Sequence, residues 1–422
     1  MIKNKSKNYN FIDYYVALLI IFCTVSSVFP PLRIIGSNAI ICFSAILMWI
    51  VLTFLMNPSF YIKVPIRRAI CLFFMFYTFL VPYLFGNGTI GNRYVSLSLL
   101  TFGYTIYEYY KSLGKVKIVG FIIMTTLPFA AVTVIRTAFG LISNPYLSRS
   151  IISSGEYTYS LLKQGIGGYE LIYFLVLFSL IVLFFVFTLK RILLKILFTI
   201  IYIISFIVIL MSNYLTAIIV LIFSSFLMLI LKSMTKKNQV ISISIWLWIS
   251  ILLLLTSREI FSKLIDIYIS IFKSGRVTNI LSEIRFSMIS GVGNEFFADR
   301  WPTILSSILA TLKHPILGLT ATTITKNLGF LEGFGQHSLV FDTFALFGVF
   351  IGIVQIYIIL LPFNKDRFVG VKKICSIPIL LAVIFILFFN NATSSIAFVT
   401  CLVYPYVSDN VKTKIGLNFK SG

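Results

Sequence analysis

Acidic residues, histidines and cysteines are scarce in this chain of 422 residues, which has 13 Asp and Glu, two His and five Cys. It contains no Asp-x-Asp pair, no His, Cys and Glu cluster at metal-ligand spacing, no Walker loop and no Gly-x-Ser-x-Gly elbow. The sequence therefore predicts no metal site and no nucleotide site, and we expect no cofactor. Because no cysteine lies in a long loop, it predicts no disulfide framework either.

Basic residues are abundant, with 35 Lys and Arg and a net charge of +22. In a soluble protein this charge would suggest nucleic acid, but the chain is 59% hydrophobic and its mean hydropathy is +1.00. A hydrocarbon core of roughly 30 Å needs about 20 apolar residues per helix. We therefore predict an all-α polytopic membrane protein with about twelve spans and no nucleic-acid partner. The predicted spans are 11–29, 37–56, 69–86, 94–110, 118–136, 169–189, 193–211, 214–231, 240–257, 338–361, 375–390 and 395–408.

The distribution of basic residues predicts the orientation. With a cytoplasmic N terminus, most lysines and arginines fall on the cytoplasmic side, and the short outside loops hold only Arg33 and Arg93. Both termini are then cytoplasmic. The predicted divisions are 1–257, with nine spans and an outside loop near 137–168; 258–337, a large outside loop with amphipathic helices; and 338–422, with three spans and the C terminus.

Several arginines lie in the two long outside segments, where the orientation rule does not call for them. A guanidinium group pairs with phosphate through two hydrogen bonds, so arginines at a membrane surface suit a phosphate-bearing lipid. The alternative is that they are solvated loop charges neutralised by nearby acids. The candidates for diphosphate binding are Arg136, Arg149, Arg276 and Arg285.

Two amphipathic helices are predicted in the large outside loop. The apolar periodicity of 259–273 predicts a helix lying in the membrane interface. Residues 300–313 follow Asp299, a suitable N-cap, and carry an apolar stripe. Arg300 would lie beside the free N–H groups of this helix, which favours an anion site. A pair of Arg300 with Asp299 or Glu295 is the alternative.

His337 stands at the outer mouth of the tenth predicted span. Gly348 lies eleven residues on, within about 20° of the same face in a continuous helix, and it forms a small-xxx-small packing motif with Gly352. A neutral imidazole at this mouth suits a catalytic base, with a capping role as the alternative. Asp342, inside the span, is expected to be functional or paired with a loop arginine. His314, at a helix end, is interpreted as structural.

This layout resembles the membrane glycosyltransferases that polymerise or ligate bacterial surface polysaccharide, the O-antigen and capsule polymerases and the O-antigen ligases. Locally the resemblance rests on Arg300-Trp301, on His314-Pro-Ile-Leu-Gly318, and on Gln336-His337-Ser338 with Gly348. It covers roughly residues 210–355, and the rest only in topology. The His-x10-Gly element is associated with ligases. Polymerases are associated with Arg-x10-Gly, which no outside arginine here provides, and a serine follows the histidine where these families often have asparagine.

The resemblance implies a glycosyltransferase C-like architecture in the bacterial inner membrane and metal-independent transfer of a glycan from undecaprenyl diphosphate. In a polymerase the acceptor is a sugar hydroxyl of a second lipid-linked repeat unit, and a chain-length regulator protein is a further partner. His337 and Arg300 would be catalytic, with Asp342, Asp299 and Glu295 in supporting positions. Two sizeable basic outside loops favour the polymerase, because it must hold two lipid-linked substrates.

Two alternatives stay open. A ligase would transfer the glycan to lipid A core. A flippase or other transporter would move the lipid-linked glycan without chemistry. Transporters usually show internal repeats and broken or charged helices near mid-membrane, and the sequence shows no convincing six-plus-six similarity.

Overall fold

The computed structural model describes residues 11–36, 39–62, 66–85, 103–144, 147–151, 156–233, 265–271, 276–290, 301–319, 338–364, 367–368, 371–390 and 394–415. Every extended regular element in these residues is a helix. In chain order they are α1 (Phe11–Val28), α2 (Pro30–Gly36), α3 (Ala39–Met56), α4 (Pro58–Ile62), α5 (Ile66–Phe85), α6 (103–112), α7 (Val116–Ser143), α8 (Leu147–Ser150), α9 (Glu156–Lys163), α10 (Tyr169–Thr188), α11 (Ile192–Met211), α12 (Leu215–Ser233), α13 (265–271), α14 (Arg276–Ser290), α15 (Trp301–Lys313), α16 (Leu339–Phe347), α17 (Val349–Leu360), α18 (Lys372–Phe389), α19 (Ser394–Ala397) and α20 (Tyr404–Ile415), with a π-helical segment, Phe398–Val403, between the last two.

Six of the described helices are long and apolar enough to cross a membrane, namely α1, α7, α10, α11, α12 and α18. A helix satisfies its backbone hydrogen bonds internally, which a span requires because hydrocarbon offers no partners. The prediction of an all-α membrane protein is thereby confirmed. The count of twelve spans stays a prediction, and its ninth member, 240–257, lies outside the described residues.

Helix α10 forms the centre of the bundle. It packs against α11, α12 and α18, and 72% of it is buried inside the protein. Helix α11 is the least buried of these helices. Only 17% of it is buried inside the protein, and residues such as Leu193 and Ile196 are exposed. Since α11 is as apolar as α10, its exposed face is suited to contact with lipid rather than water.

Two sets of contacts mark the two ends of the bundle. At one end, the backbone N–H of Leu339 donates to the carbonyl of Asn390 at 3.1 Å. At the other, Lys111 pairs with Asp409 at 2.9 Å. We call these the outer end and the inner end, after the orientation that the basic residues predict.

The tenth predicted span is not one continuous helix. It breaks at Gly348, whose φ of 84° and ψ of 172° separate α16 from α17. The backbone N–H of Val349 donates to the carbonyl of Pro315 at 2.7 Å, and a Cβ at Gly348 would collide with the carbonyl of Ile316. The prediction that His337 and Gly348 share a face stays a prediction, because His337 lies outside the described residues, but Gly348 ends α16 instead of lying inside a continuous helix.

The small-xxx-small interpretation of Gly348 and Gly352 also needs correction. Gly348 does allow close backbone contact, but with the turn that follows α15 and not with the face of a neighbouring helix. At Gly352 a Cβ would lie 2.6 Å from the ring of Phe344, which belongs to the same predicted span. Both glycines therefore serve the break within the span.

Candidate functional site

Arg136 lies on a helix and not in a loop. The fifth span was predicted to end at residue 136, but α7 continues to Ser143. The Arg136 side chain is exposed at the outer end, and its Nη1 donates to the carbonyl of Gln164 at 3.2 Å. Gly165 (φ 79°) leaves room for it, because a Cβ there would lie 2.7 Å from Nη1. Arg136 is thus a positioned, exposed cation, as phosphate binding requires.

Hydrogen bonds join the segments of the outer end into one surface. Ser148 donates from Oγ to the carbonyl of Ser212 at 3.3 Å, and Tyr214 donates to the carbonyl of Ser148 at 3.0 Å. The hydroxyl of Tyr268 in α13 donates to the carbonyl of Leu210 at 3.0 Å. These bonds connect α8, α13 and the junction of α11 with α12.

Arg285 belongs to the same surface and is paired. Its Nε lies 3.0 Å from Oδ1 of Asp266, and the two side chains are 43% and 45% exposed. The sequence left open whether the outside arginines are neutralised by nearby acids, and for Arg285 the structure shows such a pair. A pair this exposed is worth about 0–1 kcal/mol, so a phosphate group could displace the carboxylate at little cost.

Asp342 is buried in α16, only 3% exposed. Its Oδ1 accepts a hydrogen bond from Ser307 Oγ in α15 at 2.8 Å. The sequence predicted an arginine from the loop as the partner, and that pairing stays a prediction. The bond from Ser307 ties Asp342 to the segment that precedes His314.

The outer mouth of the tenth span is built from Ser338 and Asn390. Ser338 caps α16 by accepting from the N–H of Phe341 at 3.2 Å, and it donates to the carbonyl of Leu387 at 3.5 Å. Asn390 is 3% exposed, and within the described part of the chain its Nδ2 has no hydrogen-bond partner. A buried amide donor without a partner costs stability, which sets Asn390 apart from the hydrogen-bonded Ser338 beside it.

The remaining predicted site residues are described only in part. Arg149 lies in α8 and Arg276 is the first residue of α14, which places both backbones at the outer end. The other four, His337, Arg300, Asp299 and Glu295, lie outside the described residues.

The inner end holds an ion cluster that sequence reasoning missed. Asp409 in α20 accepts from Tyr107 at 2.5 Å, from Lys111 at 2.9 Å and from Arg367 at 3.3 Å. Arg367 is only 1% exposed and also donates to the carbonyl of Pro362. The cluster connects α6, α20 and the segment that follows α17.

Charge controls the protonation of this cluster. Burial alone would raise the pKa of the Asp409 carboxyl, but Arg367, the Tyr107 hydroxyl and Lys111 together lower that pKa to about 2. A second inner pair joins Lys115 to Asp13 at 2.5 Å, where Asp13 is 1% exposed. A signal was present in the sequence, because acidic residues are few and two of them flank apolar runs beside lysines.

The five cysteines are all free and buried. Within the described ranges, no group of three or more His, Cys, Asp or Glu side chains is arranged to hold a metal ion.

No known protein family model matches this chain, and no curated protein matches it at a significant level.

Proposed function

We propose that this chain is a membrane-embedded polymerase of bacterial surface polysaccharide. It would transfer a glycan from undecaprenyl diphosphate to a sugar hydroxyl of another lipid-linked repeat unit, without a metal. The observation that carries the proposal is the outer end itself, where an exposed, positioned Arg136 and a weakly paired Arg285 lie on hydrogen-bonded neighbouring segments. At the mouth of the tenth span, the amide of Asn390, whose Nδ2 has no hydrogen-bond partner within the described residues, adds a neutral donor.

The proposed reaction needs a base and charge stabilisation. His337 takes the proton of the acceptor hydroxyl, whose oxygen then forms the new bond to the anomeric carbon. The bond from that carbon to the diphosphate oxygen breaks, and undecaprenyl diphosphate leaves with the electron pair. Arg300, Arg285, Arg276, Arg136 and Arg149 are the proposed partners of the diphosphate. Their positive charge offsets the negative charge that develops on the leaving group.

The role of His337 as the base is tested with the variant His337→Ala. Glycan transfer by the purified protein is measured with lipid-diphosphate-linked repeat units in the presence of a chelator. Turnover should fall by about 10²–10⁴, the usual contribution of a general base, while substrate binding is retained. His314→Ala is the matched control, because it removes the other histidine, and it should keep wild-type turnover. Equal activity of His337→Ala and wild type would make His337 a cap and move the search for the base to Glu295, Asp299 and Glu332.

The role of Arg300 in binding the diphosphate is tested with the variant Arg300→Ala. This variant should abolish or greatly reduce the long-chain product while the protein still inserts into the membrane. Arg300→Lys should rescue only partly, because an ammonium group lacks the two-point contact with phosphate. Full activity of the alanine variant would remove Arg300 from the site and leave Arg285 and Arg276 as the candidates.

Product length separates the two transferase functions. A ladder of products supports a polymerase, and a single transfer to lipid A core supports a ligase. Because every proposed residue must face outward, reporter fusions after Lys237 and Lys373 should read cytoplasmic and one near Asn294 external. A cytoplasmic signal at Asn294 contradicts the proposal.

A transporter is the second candidate, and one observation favours it. Broken helices with buried ionisable groups near mid-membrane are typical of transporters, and the tenth span has both a break at Gly348 and a buried Asp342. Vectorial movement of the lipid-linked glycan in proteoliposomes, with no glycan transfer to either acceptor, would replace the enzyme with a flippase.

A further inference from the structure

Helices α15 and α16 lie side by side and run in the same direction. Ser307 contacts Asp342 at 2.8 Å, and further along both helices Ala310 and Ala345 share a small buried cluster with Leu319. Still further, the carbonyl of Pro315 accepts from Val349. Because contacts advance together along both segments, α15 descends with α16 from the outer end.

The backbone of the turn after α15 packs closely against the backbone at the break of the tenth span. Gly318 and Gly348 both have positive φ, 66° and 84°. A Cβ on Gly318 would collide with the carbonyl of Leu346, and a Cβ on Gly348 would collide with that of Ile316. The two backbones therefore cross at a distance that only glycine permits.

The depth of this crossing follows from α18. Leu339 is hydrogen-bonded to Asn390, at the outer end of a helix that is long and apolar enough to span. From Leu339 to Gly348 the chain advances about 13 Å at 1.5 Å per residue. In a hydrocarbon core of roughly 30 Å, the crossing then lies near half depth.

The outward surface of this segment is apolar. Its exposed large apolar residues are Leu305 (38%), Leu309 (48%), Leu312 (71%), Ile316 (76%) and Leu317 (49%). Below the break the surface continues on α17 with Phe350 (65%) and Ile353 (56%). This apolar surface continues from α15 onto a membrane span and reaches about half the depth of the hydrocarbon core. It is therefore suited to contact with acyl chains.

We propose that residues 301–319 form a re-entrant element that dips to about half the depth of the bilayer. Its exposed apolar face contacts the acyl chains of the outer leaflet. The inference goes beyond the proposed function and does not depend on it. A helix that lay flat in the interface, as residues 259–273 were predicted to do, could not bring Pro315 to Val349 without pulling the tenth span out of the membrane.

Lys313, the last residue of α15, is exposed near the tip. In a descending helix the Cα–Cβ bonds tilt toward the N terminus, which here is the outer surface. The long apolar stem of lysine can therefore carry the amine about one helical turn, or 5 Å, back toward the headgroups. The charge is compatible with the re-entrant placement.

The experiment measures depth with a fluorophore on single introduced cysteines in proteoliposomes. The native cysteines are all buried, so background labelling is low. Leu305→Cys and Leu312→Cys differ in depth by about 10 Å if α15 descends. Quenching is compared in phospholipids brominated near the headgroup and near the chain centre, with Phe350→Cys as the deep reference and Leu193→Cys as the shallow one.

We expect the label at 312 to be quenched like the deep reference and the label at 305 to be quenched more by the shallow bromine. Equal, shallow quenching at both positions would overturn the re-entrant placement. Absence of quenching at both would overturn the acyl-chain contact. Because all four positions are exposed, the substitutions should be tolerated, and Leu309→Cys with Ile316→Cys provides a second pair.

Discussion

The inner and outer ends of the bundle use charge differently. At the inner end, Asp409 is shared among several cations, and Arg367 is almost completely buried. At the outer end, Arg285 pairs with Asp266, and more than two fifths of each side chain is exposed. Buried ion pairs are costly to break, whereas exposed ones contribute little. The inner end therefore uses charge to hold helices together, whereas the outer end leaves its ion pair exposed to solvent.

The largest expected effect comes from breaking one pair at each end. Asp409→Asn should destabilise the protein by about 3–5 kcal/mol, because it leaves the buried Arg367 charge without its carboxylate. The matched outer variant, Asp266→Asn, should cost at most about 1 kcal/mol. Thermal or denaturant unfolding in one detergent measures both. Equal losses would remove the distinction between the ends.

A second inner variant, Asp13→Asn, should have an intermediate effect of about 1.5–3 kcal/mol, typical for loss of a hydrogen bond to a charged group. Its partner Lys115 is 18% exposed and can reach water after the substitution, unlike Arg367. The same unfolding measurement tests this order. A loss as large as that of Asp409→Asn would show that the α1–α7 pair is as essential as the cluster.

Acid should act on the inner end in a defined pH range. The pKa of Asp409 is about 2 in the folded protein, below the usual value near 3.9 for an unfolded chain. Its contribution to stability is therefore complete above about pH 4 and is lost as the pH falls toward 2. Unfolding curves should show a drop in this range for wild type and a smaller one for Asp409→Asn. The same drop in both proteins would assign the acid effect to other carboxyls.

The smallest effect is that of salt on the outer pair. Raising ionic strength from 0.1 to 1 M shortens the screening length from about 10 to 3 Å. The small cost of Asp266→Asn should disappear at high salt, while that of Asp409→Asn should persist because its cluster is buried. A cost of Asp266→Asn that does not depend on salt would indicate a role in packing.

Hydropathy and charge were enough to predict the helical membrane fold, because lipid leaves a span no other way to satisfy its backbone. The helix at 300–313 was also predicted and is found at Trp301–Lys313. The break at Gly348 was not, because the residues on both sides of Gly348 are apolar and the partner at the break, Ile316, is distant in sequence.

The two ends of the bundle also differ in how much of their side-chain arrangement the sequence predicts. The inner cluster draws on α6, α20 and the segment after α17, and no local pattern reveals such an arrangement. The exposed state of Arg136 was expected, but its position on α7 was not, because the span was predicted to end where the charge begins. The roles of His337 and Arg300 stay predictions, since both lie outside the described residues.

The crossing of the turn after α15 with the Gly348 break has a consequence for biosynthesis. The Pro315 carbonyl finds its donor on Val349, about 34 residues later in the chain. At roughly 5–20 residues per second, the ribosome needs about 2–7 s to make them. During that interval Gly318 has no backbone to cross, and the apolar face of 301–319 has no neighbour to rest on. The element can therefore be completed only after the segment that follows it has entered the membrane, and nascent chains ending before Val349 should be protease-sensitive there.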